Sequence, residues 1–257
     1  SDLPATGAGK ITNSKPNQPF THCGILFIFL VVYLNTKTKT MKKSVKMLSY
    51  ACIIIMACTQ LSCKKEKSSP KVIDVYVVGY ENIGTKDVAR IWKNGVTMSL
   101  TDGINGADAN SVFVQGNDVY VAGYESNGAK YVAKIWKNGV ATSLTDGTQH
   151  SYANSVFVQG NDVYVAGYEY NGIMFIAKFW KNGVATSLTD GTHSAYAESV
   201  FVQGNDIYVV GNEDFGTNRI AKIWKNGVAT NLSDGTVYTI ANSVFVQGND
   251  VYVTGFE

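Results

Sequence analysis

An all-β fold assembled from four-stranded antiparallel units is what this sequence predicts, and three observations predict it. From Asp74 onward the chain repeats every 44 residues: Asp74-Val75-Tyr76-Val77 returns at Asp118, Asp162, Asp206 (with Ile207) and Asp250, and Trp92, Trp136, Trp180 and Trp224 keep the same step. Each period is rich in Val, Ile, Tyr, Phe, Trp and Thr, residues that suit a pleated, partly buried surface. After residue 63 no segment shows the apolar period of about 3.6 residues that marks a helix.

Taken in order from the N-terminus, residues 1–40 hold no Met and read as upstream sequence, non-native or without a fold. Their apolar run, Gly24 to Leu34, is too short to cross about 30 Å of hydrocarbon as a helix. Residues 41–63 have the layout of a secretory signal: Met41, then Lys42, Lys43 and Lys46, then the mostly apolar stretch Met47 to Ala57, then small and polar residues up to Cys63. Residues 64–73, with several Lys and Ser, read as a polar tether too hydrophilic to bury a core. The repeats follow at 74–117, 118–161, 162–205 and 206–249, and 250–257 opens a fifth.

Within the period that contains Asn154, strand A is expected at Ser155–Gln159 and strand B at Asp162–Tyr168, joined by a Gly160-Asn161 turn. Strand C is expected from about Phe175 to Trp180 and strand D at Val184–Thr189. Asn182-Gly183 between C and D is a strong hairpin signal, because both turn positions need positive φ. Strand B is apolar on both faces (Val163-Tyr164-Val165-Ala166), which suits a sheet packed between two others. Strand D, with Thr186, Ser187 and Thr189, suits an exposed edge. The meander breaks after D, where Asp146 to Ala153 lead into the next A. One Trp per period reads as the large residue packing one unit on the next.

Four-stranded antiparallel units at a period of about 40–50 residues are the pattern of β-propeller blades. About 4 to 5 blades are expected here, with a β-solenoid as the rival fold. The order B-C-D, three whole units, then A-B predicts an incomplete ring, because the last B would compete with Val75 to Tyr80 for one place. The chain resembles the propeller-repeat lipoproteins of Gram-negative bacteria, over residues 74–257 for the repeats and at Leu61-Ser62-Cys63-Lys64 for the signal. Gln60 stands where that signal usually has Leu, and Cys58, after Ile55-Met56-Ala57, is a rival acceptor. The resemblance implies export and a lipid anchor on Cys63 in a bacterial membrane. It implies no activity.

Charge and cysteine placement exclude several classes. Residues 1–63 hold 7 of the 22 Lys and Arg but only 1 of the 20 Asp and Glu, which leaves 15 basic against 19 acidic residues afterwards. A nucleic-acid binder needs a basic face instead. All four cysteines (Cys23, Cys52, Cys58, Cys63) precede residue 64, which excludes a disulfide framework or a Cys-based zinc site in the repeats. No cofactor or metal is expected.

Variation between the copies points to the binding surface. The A–B and C–D turns barely change, whereas the B–C loops (82–87, 126–131, 170–175, 214–219) and D–A loops (104–108, 148–152, 192–196, 236–240) differ throughout. In an up-and-down meander both variable sets emerge on one face, where loops on a rigid scaffold usually bind. Candidate ligand contacts are Lys130, Tyr131, Tyr170, Phe175 and Phe215 from the B–C loops and Tyr152, Tyr196 and Tyr238 from the D–A loops. Glu81, Glu125, Glu169 and Glu213, closing strand B, form a repeated set of carboxylates suited to a cation or a basic ligand. Asn110, Asn154, Glu198 and Asn242, opening strand A, complete the candidate set. The expected function is binding or scaffolding toward a protein or glycan. The alternative is an envelope glycosidase or lyase whose catalytic part lies beyond residue 257. Within the sequence, His150 and His193 are the only histidines after residue 63 and occupy non-equivalent loop positions, so no catalytic residue is assigned.

Overall fold

The computed structural model describes residues 73–257. The expected upstream segment, signal peptide, Cys58, Cys63 and residues 64–72 of the tether lie outside the described residues. Within them seventeen strands build five antiparallel sheets, and no helix occurs. The first sheet is β1 (Tyr76–Ile83), β2 (Lys86–Lys93) and β3 (Val96–Ser99). The second is β4 (Ala107–Gln115), β5 (Asp118–Ser126), β6 (Tyr131–Lys137) and β7 (Val140–Ser143). The third is β8 (Ser151–Gln159), β9 (Asp162–Tyr170), β10 (Phe175–Lys181) and β11 (Val184–Ser187). The fourth is β12 (Ala195–Gln203), β13 (Asp206–Phe215), β14 (Asn218–Lys225) and β15 (Val228–Asn231), and the fifth is β16 (Ile240–Gln247) with β17 (Asp250–Phe256).

Each sheet is a simple meander in the expected order, and the first four end in an exposed four-residue D strand at one edge. The repeated sequence explains its own repetition at the C–D turn. Asn94, Asn138, Asn182 and Asn226 all hold φ at 52°, a left-handed conformation that Asn tolerates, and each is followed by a positive-φ Gly. Asn182 Oδ1 accepts the Val163 N–H at 2.9 Å and its Nδ2 donates to Asp162 at 2.8 Å. Lys181 completes the clasp, 2.8 Å from the Asp162 carboxylate and over the Tyr164 ring. The same clasp forms at Asn94, Asn138 and Asn226. The Asp-Val-Tyr and Lys-Asn-Gly segments recur because they hold C–D turns onto B strands.

Strand boundaries depart from the sequence expectation. Strand A begins four residues early, at Ser151 rather than Ser155, and passes through an irregularity between Ala153 and Ser155. Asn154 is the extra residue of a β-bulge, and Asn110, Glu198 and Asn242 occupy the same place in their strands. These four residues therefore lie inside strand A and do not open it. Tyr152 and Tyr196 are strand residues, not loop residues. Strand B runs on to Tyr170, and strand D stops at Ser187. The B–C connections shrink to Gly84-Thr85 and Gly216-Thr217 in the first and fourth sheets.

Successive sheets are joined face to face by apolar packing and edge to edge by side-chain hydrogen bonds. Trp136, Trp180 and Trp224 are 0% exposed. Trp136 packs with Ala89 and Ile91 of the sheet before it, and Trp180 with Tyr120, Ala122 and Ala133 of the sheet before it. The A strands stitch together directly: Asn110 Nδ2 donates to the Ala153 carbonyl at 2.9 Å, and Gln115 Nε2 to the Gly160 carbonyl at 2.7 Å. Ser111 Oγ accepts the Val156 N–H at 3.2 Å, and Phe113, Phe157, Phe201 and Phe245 form a ladder with centroids 4.8–5.3 Å apart. Strand β1 pairs only with β2 and β16 only with β17, so the described sheets close no ring.

Candidate functional site

The variable loops do share a face. Within the second sheet, Asn127 of the B–C loop donates to the Gly147 carbonyl of the D–A loop at 2.9 Å, and the Tyr131 N–H donates to His150 Nδ1 at 3.1 Å. In the third, the Phe175 N–H donates to Ser194 Oγ at 3.3 Å. Between sheets, His193 lies against Phe215 with centroids 4.4 Å apart. The D–A loops take their form from Asp146, Asp190 and Asp234, each accepting the N–H of a Thr two residues on at 2.9 Å.

At the loop end of the A strands an aromatic band runs across successive sheets. Tyr124, Tyr152, Tyr168 and Tyr196 follow one another with centroids 4.9 Å apart, and Tyr131 and Phe175 pack onto them from the starts of β6 and β10. Tyr170 joins through Phe175. The band ends at Arg219, which stacks over Tyr196 and Tyr238 and is 2.5 Å from Asp214. Burial comes first in raising the Tyr124 phenol to about 12, with the Asp108 charge adding to it. Burial likewise raises Tyr152, Tyr168 and Tyr196, so all four rings remain neutral donors near pH 7.

The expected site residues divide into two sets. Tyr131, Tyr152, Tyr170, Phe175, Tyr196 and Tyr238 come together in or beside this band, and Phe215 meets His193 at its margin. Lys130 is half-buried at the end of its B–C loop, next to the start of β6. The glutamates do not form an open ring of carboxylates. Glu169 is 2.5 Å from Lys178, and Glu125 and Glu213 pair in the same way with Lys134 and Lys222, while Glu81 is 2.9 Å from Arg90. A cross-strand neighbour supplies each cation, so these acids are spent within their own sheets. Asn110 and Asn154 reach the next sheet's carbonyl, and Asn154 also donates to Glu198 at 2.8 Å. Burial raises the Glu198 carboxyl above its usual range.

Sequence reasoning passed over Tyr124, Tyr168, Arg219, Asp87 and Asp108. One signal was present: Tyr80, Tyr124 and Tyr168 keep the 44-residue step beside loops that otherwise vary. Among the described residues no group of three or more His, Cys, Asp or Glu is placed to hold a metal ion. No family model matches the chain, and no curated protein resembles it in sequence.

Proposed function

We propose that this chain is an exported, lipid-anchored β-propeller-type module that binds a protein or glycan on the face carrying the B–C and D–A loops. The observation that supports it is the division of the repeat into two faces. On the turn face the recurring residues are consumed by the Asp–Asn–Lys clasp. On the loop face the same scaffold carries residues that change from copy to copy, around half-exposed aromatic rings. Rings of that kind offer large contact area at small entropic cost, which favours binding over mere solvation.

Exchanging loop 170–175 for the sequence of 126–131 tests it on arrays of peptides and oligosaccharides. The array pattern is expected to change with the loop and to survive Asn161→Ala on the opposite face. The reverse result overturns the assignment of the face. Anchoring is tested separately: the intact mass of membrane-extracted protein should show acyl chains on Cys63, and Cys63→Ser should release the protein from the membrane fraction. Unchanged membrane levels in that variant would remove the anchor from the reading.

A further inference from the structure

The band of aromatic side chains changes character at its first junction. Where the second and third sheets meet with Tyr124, Tyr131, Tyr152 and Tyr168, the positions 44 residues earlier are Tyr80, Asp87, Asp108 and Tyr124. Tyr80, Asp87, Asp108, Tyr124 and Tyr131 line a cavity of about 250 Å³ between the first and second sheets. Lys86 and Lys130, next in sequence to two of them, are not part of its wall.

Among the described residues about half of the acids have an ion-pair partner. Asp102, Asp146, Asp190 and Asp234 instead accept N–H groups of their own loops, and Asp87 and Asp108 are two unpaired acids brought to one cavity wall. Asp74, Asp118, Asp162 and Asp206 each face a Lys, Glu81 faces Arg90, Glu125, Glu169 and Glu213 face Lys, and Asp214 faces Arg219. Asp87 accepts only a neutral hydrogen bond, from Asn82 Nδ2 at 2.7 Å, and among the described residues neither it nor Asp108 has an ion-pair partner. Burial, and after it the charge of Asp87, lifts the Asp108 carboxyl above its usual range. Two half-buried like charges raise the energy of the empty pocket, and a cation entering it relieves that repulsion. The three tyrosine rings add cation–π attraction. A pocket of this size is smaller than a typical small-molecule site and takes one side chain.

We propose that the Asp87–Asp108 pocket receives the lysine ammonium or arginine guanidinium of a protein ligand lying across the loop face. The proposal rests on that face being the binding surface, and it selects a basic protein segment over a glycan. A neutral sugar would use the rings and gain nothing from a pair of uncompensated carboxylates.

The test is fluorescence anisotropy of fluorescein-labelled trilysine amide titrated with the purified chain at low salt. Saturable binding is expected. It should weaken at least about tenfold in Asp87→Asn/Asp108→Asn and in Tyr124→Leu, and persist in Tyr124→Phe and in Asp146→Asn on the same face. Melting curves accompany each variant, and Asp87→Asn alone serves if the double variant melts early. Equal binding by the acid-pair variant overturns the proposal, as does absence of saturable binding. Displacement of trilysine by calcium at equal charge concentration but not by sodium also overturns it, assigning the pocket to a metal. Capture of a neutral oligosaccharide through Tyr124 without trilysine binding overturns the cation pocket but leaves the loop face intact. A loop exchange that leaves every array pattern unchanged removes the face itself.

Discussion

A single atom decides the glycine on strand B. A Cβ at Gly167 would collide with the Tyr152 carbonyl oxygen and lie 3.1 Å from Ala153 Cα, because the bulge at Asn154 presses strand A against it. Gly79, whose sheet has no A strand among the described residues, would place its Cβ an ordinary 3.7 Å from the Trp92 ring. Gly167→Ala is therefore expected to cost well over about 1 kcal/mol in denaturant titration, and Gly79→Ala close to nothing. The tryptophans give a parallel contrast. Trp180→Ala should cost about 3–5 kcal/mol, as for a buried large side chain, and Trp92→Ala, whose ring is only half-buried, clearly less. Asp108 supplies a pH test. Its carboxyl titrates above the usual range in the folded chain, so the unfolded chain loses its proton first as pH rises. Folding is thus penalised progressively between the ordinary aspartate pKa of 3.8 and the raised folded value. Asp108→Asn removes that penalty, and its melting temperature relative to the parent chain should rise across that window and stay higher at neutral pH.

At the scale of strands and turns, the C–D hairpin carries the strongest local constraint. Asn182→Ala loses two hydrogen bonds to strand B and forces Ala into left-handed backbone, which costs roughly 1–2 kcal/mol for the conformation alone. Asn182→Gly should recover the conformational part and leave only the loss of the clasp, so its denaturation midpoint should fall between parent and Ala variant. The B–C loops obey a looser rule. Asn171 Oδ1 accepts the N–H groups of Ile173 and Met174, and Asn127 Oδ1 those of Ala129 and Lys130, so both loops share one internal frame. Exchanging 170–175 for 126–131 keeps that frame and changes only what the loop displays, and stability should move by less than about 1 kcal/mol.

For the molecule as a whole, the described sheets end in exposed apolar surface. Val77 on the first sheet is 54% exposed, and Tyr252 and Phe256 on the last are 53% and 54%. Within the chain, equivalent surfaces are covered by the neighbouring sheet. Wet apolar faces next to the free edges of β1 and β17 favour association with further sheets of the same kind. Residues 64–257 alone should therefore self-associate with rising concentration in light scattering. A monodisperse monomer with one cooperative melt would show that these faces are harmless.

What a few neighbouring residues decide was legible in the sequence by itself, strand ends excepted. The 44-residue step predicted repeated antiparallel sheets, Asn-Gly placed the hairpins, and Thr and Ser marked the D edge, because φ preferences and alternation act within one turn or strand. It also placed the variable loops on one face, since the meander order alone requires that. Tertiary structure decided what depends on partners one repeat away. Asn110 read as the start of a strand, and stands instead in a bulge from which its amide reaches the Ala153 carbonyl, 43 residues on. Four glutamates read as a repeated carboxylate set, and proved neutralised by the Lys or Arg that sheet pairing sets opposite them. Asp87 and Asp108 read as the last residues of two variable loops, 21 positions apart, with nothing to pair them. Only the packing of one sheet on the next brings both to one cavity without a cation, and charge pairing at that distance leaves no mark on local sequence.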